Sequence, residues 1–238
     1  MAEGLAEAGA DVAICGRNTA TLAPAVEKLK ALGSNALAIP CDVSDEAQVV
    51  AMAARIQEHY GRCDVLVNNA GISGMGPTDQ VGVDAFNEML HVNLTGAFLC
   101  CREIGKLMIE QKSGSIINLS SENGQVGFGI GMTAYATTKI GAVGMTRSLA
   151  VEWGKHGINV NAILPGNMEE GMMEMIKDRE GPFFQAVGTS LLKLIPTGDF
   201  GGGDDMKGAV VFLASAAGRY VNGAQLVVDG GFTVNAGL

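Results

Sequence analysis

Tyr135 and Lys139 stand four residues apart in the run Met132-Thr133-Ala134-Tyr135-Ala136-Thr137-Thr138-Lys139, and a serine pair, Ser120-Ser121, closes an apolar run upstream. Side chains at i and i+4 share one face of a helix, so an ammonium at 139 can reach the phenol at 135 and stabilise its phenolate. A free tyrosine titrates near ~10, and lowering that by about 3 units takes roughly 4 kcal/mol of differential stabilisation. A cation in a partly dry cleft can supply this. A phenol tuned in that way is a general acid for a carbonyl oxygen or a base for an alcohol. The same spacing also suits an exposed helix pair with no chemical role, so the surrounding chain has to discriminate.

Short apolar runs alternate with longer amphipathic ones along the whole chain, the pattern of strands crossing through helices to a parallel sheet. Strands are predicted over 11–15, 36–41, 64–68, 115–119, 159–164 and 225–228. Helices are predicted near 19–32, 45–60, 84–111, 132–155 and 205–216, with a less regular segment before the last. Unbroken apolar runs such as Val65-Leu66-Val67 and Ile116-Ile117 suit strands covered by helices on both faces. Asp42 follows the second strand, Asn68-Asn69-Ala70-Gly71 closes the third, Ser120-Ser121 the fourth and Pro165-Gly166 the fifth. In an open parallel sheet all carboxyl ends meet one edge, where ligands bind. Each motif also has a local reading: Asp42 as a cap for the helix after Ser44, the others as turn and strand-end residues.

The chain of 238 residues has no Ser/Pro-rich linker and reads as one domain over 1–238. Its charge of -9 and lack of a basic run argue against a nucleic-acid surface. The five cysteines (Cys15, Cys41, Cys63, Cys100, Cys101) show no metal-ligand spacing and read as buried hydrophobes in a reducing compartment. With no basic leader and no apolar run of ~18 residues, a cytoplasmic protein with no membrane span is expected.

Taken together, the residues resemble the short-chain dehydrogenases/reductases. The resemblance runs through Asp42-Val43, Asn68 to Gly71, Val92-Asn93-Leu94-Thr95-Gly96, Ser121 with Tyr135 and Lys139, Leu164-Pro165-Gly166, and Val227-Val228-Asp229-Gly230-Gly231. It implies a single Rossmann-like, doubly wound parallel sheet with helices on both faces. It also implies that Tyr135 is the acid/base, that Lys139 lowers its pKa and holds the nicotinamide ribose, that Ser121 orients the substrate oxygen, and that Asn93 steadies a water in the proton relay. Ser120 is the weaker candidate for the serine role. Asp42, Val43, Asn69, Ala70, Gly71, Pro165 and Gly166 would line the cofactor with Tyr135 and Lys139. No metal is implied.

The chain departs from that pattern in three places. No Thr-Gly-x-x-x-Gly-x-Gly turn occurs, and Met1 to Ala8 resembles the later part of the helix that should follow it. The first strand is therefore expected to be missing from between the strands at 11–15 and 64–68, and a start too far downstream is the expected cause. After Pro165-Gly166, Asn167-Met168-Glu169-Glu170 stands where a threonine is usual, and Met168, Met172, Met173 and Met175 read as an apolar lid or a core-facing helix. Gly16-Arg17-Asn18 ends the strand at 11–15 with an arginine and no carboxylate, which favours NADP(H) over NAD(H), NAD(H) remaining possible.

The expected function is NAD(P)(H)-dependent interconversion of a small carbonyl compound and a secondary alcohol, the substrate being a sugar acid, polyol or small ketone. An alternative is 3-oxoacyl reduction on an acyl carrier protein, disfavoured because an acidic enzyme gains no long-range attraction to an acidic carrier. A different class is a cofactor-free scaffold. Small residues at Gly141, Ala142, Gly144 and Ala150, with the helix near 84–111, resemble the face through which the family pairs subunits, so a homotetramer is expected.

Overall fold

The computed structural model describes residues 1–129, 131–169 and 182–235. A short helix α1 (Ala2–Glu7) leads to β1 (Ala13–Gly16), α2 (Thr19–Ala31), β2 (Leu37–Pro40), α3 (Glu46–Tyr60) and β3 (Val65–Asn68). Then follow α4 (Val83–Leu90), α5 (Gly96–Gln111), β4 (Gly114–Leu119), α6 (Thr133–Trp153), β5 (Ile158–Pro165), α7 (Pro182–Leu194), α8 (Asp205–Ala214) and β6 (Gln225–Val228). Helix starts follow local chemistry. The Asn18 side chain accepts from Ala20 N at 3.0 Å to cap α2, and Asp45, not Asp42, caps α3 by accepting from Gln48 N at 3.1 Å.

The helix expected over 84–111 is two helices joined by a π turn, His91–Thr95. Within that turn the Asn93 carboxamide accepts from Ile72 N at 2.7 Å and donates to Ile72 O at 2.8 Å, which ties it to the loop after β3. Such turns recur at functional sites because they re-aim a side chain without ending the helix. Just beyond it, a Cβ on Gly96 would fall 2.8 Å from the Val43 side chain, so close packing of α5 against the end of β2 excludes a larger residue.

All strand pairs are parallel, but they form two sheets: β1 with β2, and β3-β4-β5-β6 in that order. β4 and β5 are central, and Ile116, Ile117, Ile158, Val160 and Ile163 are fully buried. On one face α3 and α5 pack against them through Met52, Ile56, Cys100, Ile104 and Met108; on the other α8 packs through Met206, Val210 and Leu213.

Between the facing edges of β1 and β3 lies a slot of about 730 Å³, lined by both strands and by Leu5, Met52, Ile56 and Ile104. This is the position expected for an absent first strand. The carbonyls of Val12 and Gly16 accept from β2 and its flank, and that of Asp64 accepts from Ser115. Successive residues of a strand point alternately to its two edges, so Ala13 and Cys15 on one side and Val65 and Val67 on the other turn their peptide groups to the slot. Of these, the Val67 carbonyl accepts from Asn69 N at 3.1 Å. Cys41, Cys100 and Cys101 are buried as expected, whereas Cys15 is exposed on the slot wall.

Candidate active site

The ends of β1 to β5, the π turn and helix α6 assemble the site. β4 delivers Ser120 and Ser121, and the chain turns at once into the short 3₁₀ segment Glu122–Gly124. Ser120 faces inward: its N–H donates to Ile163 O at 2.9 Å and its hydroxyl to Lys139 O at 2.8 Å. Ser121 faces the cleft. Its hydroxyl oxygen accepts from Asn123 N at 3.2 Å and Asn123 Nδ2 at 3.4 Å, and its side chain lies near enough to the Tyr135 phenol to favour its ionised form. The two serines thus differ: Ser120 is tied to β5 and α6, and Ser121 to the turn that follows it.

Helix α6 carries the tyrosine and lysine on one face. Lys139 is buried; its Nζ donates to Leu119 O at 2.9 Å and lies 5.4 Å from the centre of the Tyr135 ring. Burial pushes the Lys139 ammonium down to about 8. The Tyr135 phenol is pushed above its ordinary value by burial, an effect that the nearby Ser121 hydroxyl opposes and the Glu122 charge reinforces. In this geometry the ammonium faces the ring rather than the hydroxyl, so the expected lowering of the Tyr135 pKa is not realised here.

Asn93 is buried at the π turn and donates to Thr138 Oγ1 at 3.1 Å, while Thr138 donates to Tyr135 O at 2.7 Å. The turn and the tyrosine are locked together through Thr138. The loop after β3 presents Asn69, Ala70 and Gly71 to solvent at the same edge. At Gly71 a Cβ would lie 3.3 Å from Asn93 Oδ1 and 3.7 Å from Lys139 Nζ, so a glycine keeps the main chain close to both. Gly166, after β5, donates its N–H to Val228 O at 2.9 Å; a Cβ there would fall 2.6 Å from Asp229 Cβ and 3.2 Å from Glu122 Oε2.

Arg17 and Asp42 sit together at the ends of β1 and β2, with Nη1 to Oδ2 at 3.9 Å and the arginine largely exposed. Asp42 accepts from Ser44 N at 3.0 Å and Ser44 Oγ at 2.6 Å; these bonds, with Arg17 nearby, hold its carboxyl below the usual range. Both the side chain and the carbonyl of Val43 pack against Gly96.

Sequence reasoning did not single out Glu122, Asn123 or Thr138. Thr138 could have been found as the residue one turn past Tyr135 on the side facing Asn93; the other two are distinguished only by burial. Met168 is not part of a lid: it forms a bridge with Gly201 and packs against the α8 side of the core. Glu170, Met172, Met173 and Met175 lie outside the described residues.

Against a nicotinamide dinucleotide, the residues fit at both ends. Arg17, beside Asp42 and largely exposed, would offer a cation to an adenosine ribose or its phosphate, and the close approach of Gly71, Asn93 and Lys139 would form a floor for the nicotinamide end. Between these ends the slot, rather than a glycine turn, occupies the middle of the edge.

A parallel sheet with a phenol, a hydroxyl and an ammonium collected at its carboxyl edge defines an oxidoreductase of the nucleotide-binding α/β class. The chain belongs to the short-chain dehydrogenase/reductase family, and the family profile described as enoyl-(acyl carrier protein) reductase matches residues 1–233. It is 40% identical over 194 residues to a D-threitol dehydrogenase of Mycolicibacterium smegmatis, covering 82% of this chain and 72% of that one. It is 39% identical over 234 residues to a 2-dehydro-3-deoxy-D-gluconate 5-dehydrogenase of Pseudoalteromonas atlantica, covering 98% and 89%. Its fold superimposes with a TM-score of 0.91 on a gluconate 5-dehydrogenase from Burkholderia cenocepacia in complex with NADP and tartrate, at 35% identity and with 98% and 89% of the chains covered.

Proposed function

We propose that this NAD(P)-dependent dehydrogenase interconverts a small polyhydroxylated alcohol or sugar acid and its carbonyl form, with NADP(H) preferred and Tyr135 as the proton-transfer group. The observation that carries the reading is the Tyr135 phenol on the same helical face as buried Lys139, whose Nζ lies 5.4 Å from its ring, with Ser121 nearby. A nicotinamide held there would supply or accept the hydride. Tyr135 gives its proton to the nascent alkoxide, or takes one from the alcohol, and Ser121, held by Asn123, orients the substrate oxygen. Lys139 carries the positive charge and, with Asn69, Ala70, Gly71, Pro165 and Gly166, flanks the nicotinamide ribose. Asn93 fixes the loop over it and steadies a relay water, while Arg17, Asp42 and Val43 border the adenosine.

Three curated or solved relatives named for threitol, a deoxygluconate and gluconate support a polyol or sugar-acid substrate. The NADP named with one of them supports the preference that Arg17 suggests. Cytoplasmic location and a homotetramer belong to the same proposal. Exposed Phe98 on α5 and Ile140 and Val151 on α6 provide an apolar face for subunit pairing.

The test, in a form with a strand and a Thr-Gly-x-x-x-Gly-x-Gly turn fused ahead of Met1, is reduced-cofactor consumption with keto sugar acids, polyol-derived ketones and a 3-oxoacyl thioester, each with NADPH and NADH. Turnover of the first two classes with NADPH preferred, and loss of that preference in Arg17→Ala, is expected. Reduction of the thioester alone would point instead to acyl-chain chemistry.

A further inference from the structure

The loop that leaves β3 holds the start of α6 at two places. Near its beginning, Ile72 is bonded through both its N–H and its carbonyl to the Asn93 carboxamide, which reaches the Tyr135 carbonyl through Thr138. Further on, Gly76 N–H donates to Gly131 O at 3.0 Å, and the Thr78 hydroxyl donates to Thr133 Oγ1 at 2.8 Å, a partner 55 residues away in the chain. Thr133 is the first residue of α6 and stands two residues before Tyr135. One loop thus grips the first turn of the helix from two directions.

That grip stands where a cap would otherwise act. The first N–H groups of a helix lack partners within it, and a capping side chain usually steadies them. Met132, at the cap position of α6, makes no such bond, so the turn is held by the buried Met132 side chain and by the loop. The contact is also tight. Gly131 has a φ of +76°, where a glycine is favoured, and a Cβ on it would run into the carbonyl of Gly76. Gly76 is under no such constraint, since a Cβ there would meet only the Val81 side chain, at 3.7 Å.

We propose that Gly76, Thr78, Gly131 and Thr133 form a latch that positions Tyr135, so that the loop carrying Asn69 to Gly71 at its start also sets where the phenol stands. The four are positioning residues and act only through the first turn of α6. A general acid must stay within hydrogen-bond reach of the oxygen it serves, and a misplacement of ~1 Å can cost about 10²-fold in rate. Loosening the latch therefore slows proton transfer while every reacting group is still present. This rests on Tyr135 being the group that transfers the proton.

The hold itself is tested by amide hydrogen exchange at Ala136 to Lys139 in the 238-residue chain, where Ala136 N–H donates to Met132 O at 2.8 Å. Exchange there should quicken in Thr78→Val, although Thr78 lies outside α6, and in Gly131→Ala, with a much smaller effect in Gly76→Ala. The consequence for proton transfer is read in the form with a strand and glycine turn fused ahead of Met1. In that form Gly131→Ala should lose about 10-fold in kcat, within the cost of a small misplacement, with NADPH affinity retained and a larger solvent deuterium isotope effect on kcat. Thr78→Val and Thr133→Val together should cost no more than either alone, because both remove one bond, and Thr133→Ser should keep the parent values. Unchanged exchange in both Thr78→Val and Gly131→Ala would overturn the proposal. So would additive threonine effects, or quicker exchange with kcat and isotope effect unmoved. Turnover retained in Tyr135→Phe would instead remove the tyrosine assignment, and the exchange comparison, read without turnover, would still decide whether the loop holds the helix.

Discussion

At the scale of single residues, the proton chemistry was legible from spacing but its electrostatics were not. Tyr135 and Lys139 were recognisable because helical geometry fixes their common face, whereas Ser121 was preferred to Ser120 only through the family resemblance. Glu122 was invisible, since a glutamate in a turn reads as solvated until the fold buries it. Its burial has a thermodynamic consequence. With a native value near 8 against an ordinary 4.5, the folded protein binds a proton that the unfolded chain has lost, so stability falls as pH rises through that window. Lys139 acts in the opposite sense higher up: native near 8 against 10.5, it lets stability recover as pH rises between those values. Glu122→Gln should therefore raise stability by a few kcal/mol at pH near ~9 and change it little near ~5, at about 1.4 kcal/mol per pKa unit. Denaturant melts of both proteins at the two pH values check this; an equal effect at both would show that the carboxyl is not titrating in the fold.

At the scale of elements, the strand positions followed from apolar runs, and the ends differed by one or two residues because caps and ladder bonds, not composition, set them. The π turn could not be read, because 84–111 keeps helical periodicity across it and the break depends on Asn93 reaching Ile72 on another element. The slot between β1 and β3 was anticipated from the absence of a glycine turn in the sequence. Two facing strand edges with unpaired peptide groups and apolar walls are unfavourable, and domain stability is only ~5 to 15 kcal/mol in all. Fusing a strand of apolar residues and a Thr-Gly-x-x-x-Gly-x-Gly turn ahead of Met1 should raise the melting temperature and bring NADPH affinity from little or none into the micromolar range. A thermal melt and NADPH fluorescence titration of both forms test this; micromolar binding by the 238-residue chain itself would show that its phosphate site lies elsewhere.

At the scale of the whole molecule, the acidic surface and parallel α/β order were plain in the composition and in the alternation of runs. The subunit face was read less well. Of the four small residues on α6, Ala142 and Ala150 are in the core, Gly141 sits against Leu94, and Gly144 alone meets open space. Small residues signal close approach, but not whether it is made within a subunit or between two. Exposed Phe98, Ile140 and Val151 carry the expectation instead. Sedimentation at micromolar concentration should give a species larger than a monomer, and Ile140→Glu with Val151→Glu should shift it to smaller species; a folded monomer in the parent would contradict the expected assembly.

The most direct measurement is the turnover of Tyr135→Phe against its parent, both in the form that carries a strand and a Thr-Gly-x-x-x-Gly-x-Gly turn ahead of Met1, with NADPH binding followed in parallel. Only the hydroxyl is removed, so a general acid/base role predicts a loss of ~10²- to 10⁴-fold in kcat with cofactor affinity largely unchanged. A kcat close to that of the parent would contradict the assignment of Tyr135 as the proton-transfer group and, with it, the account of the site.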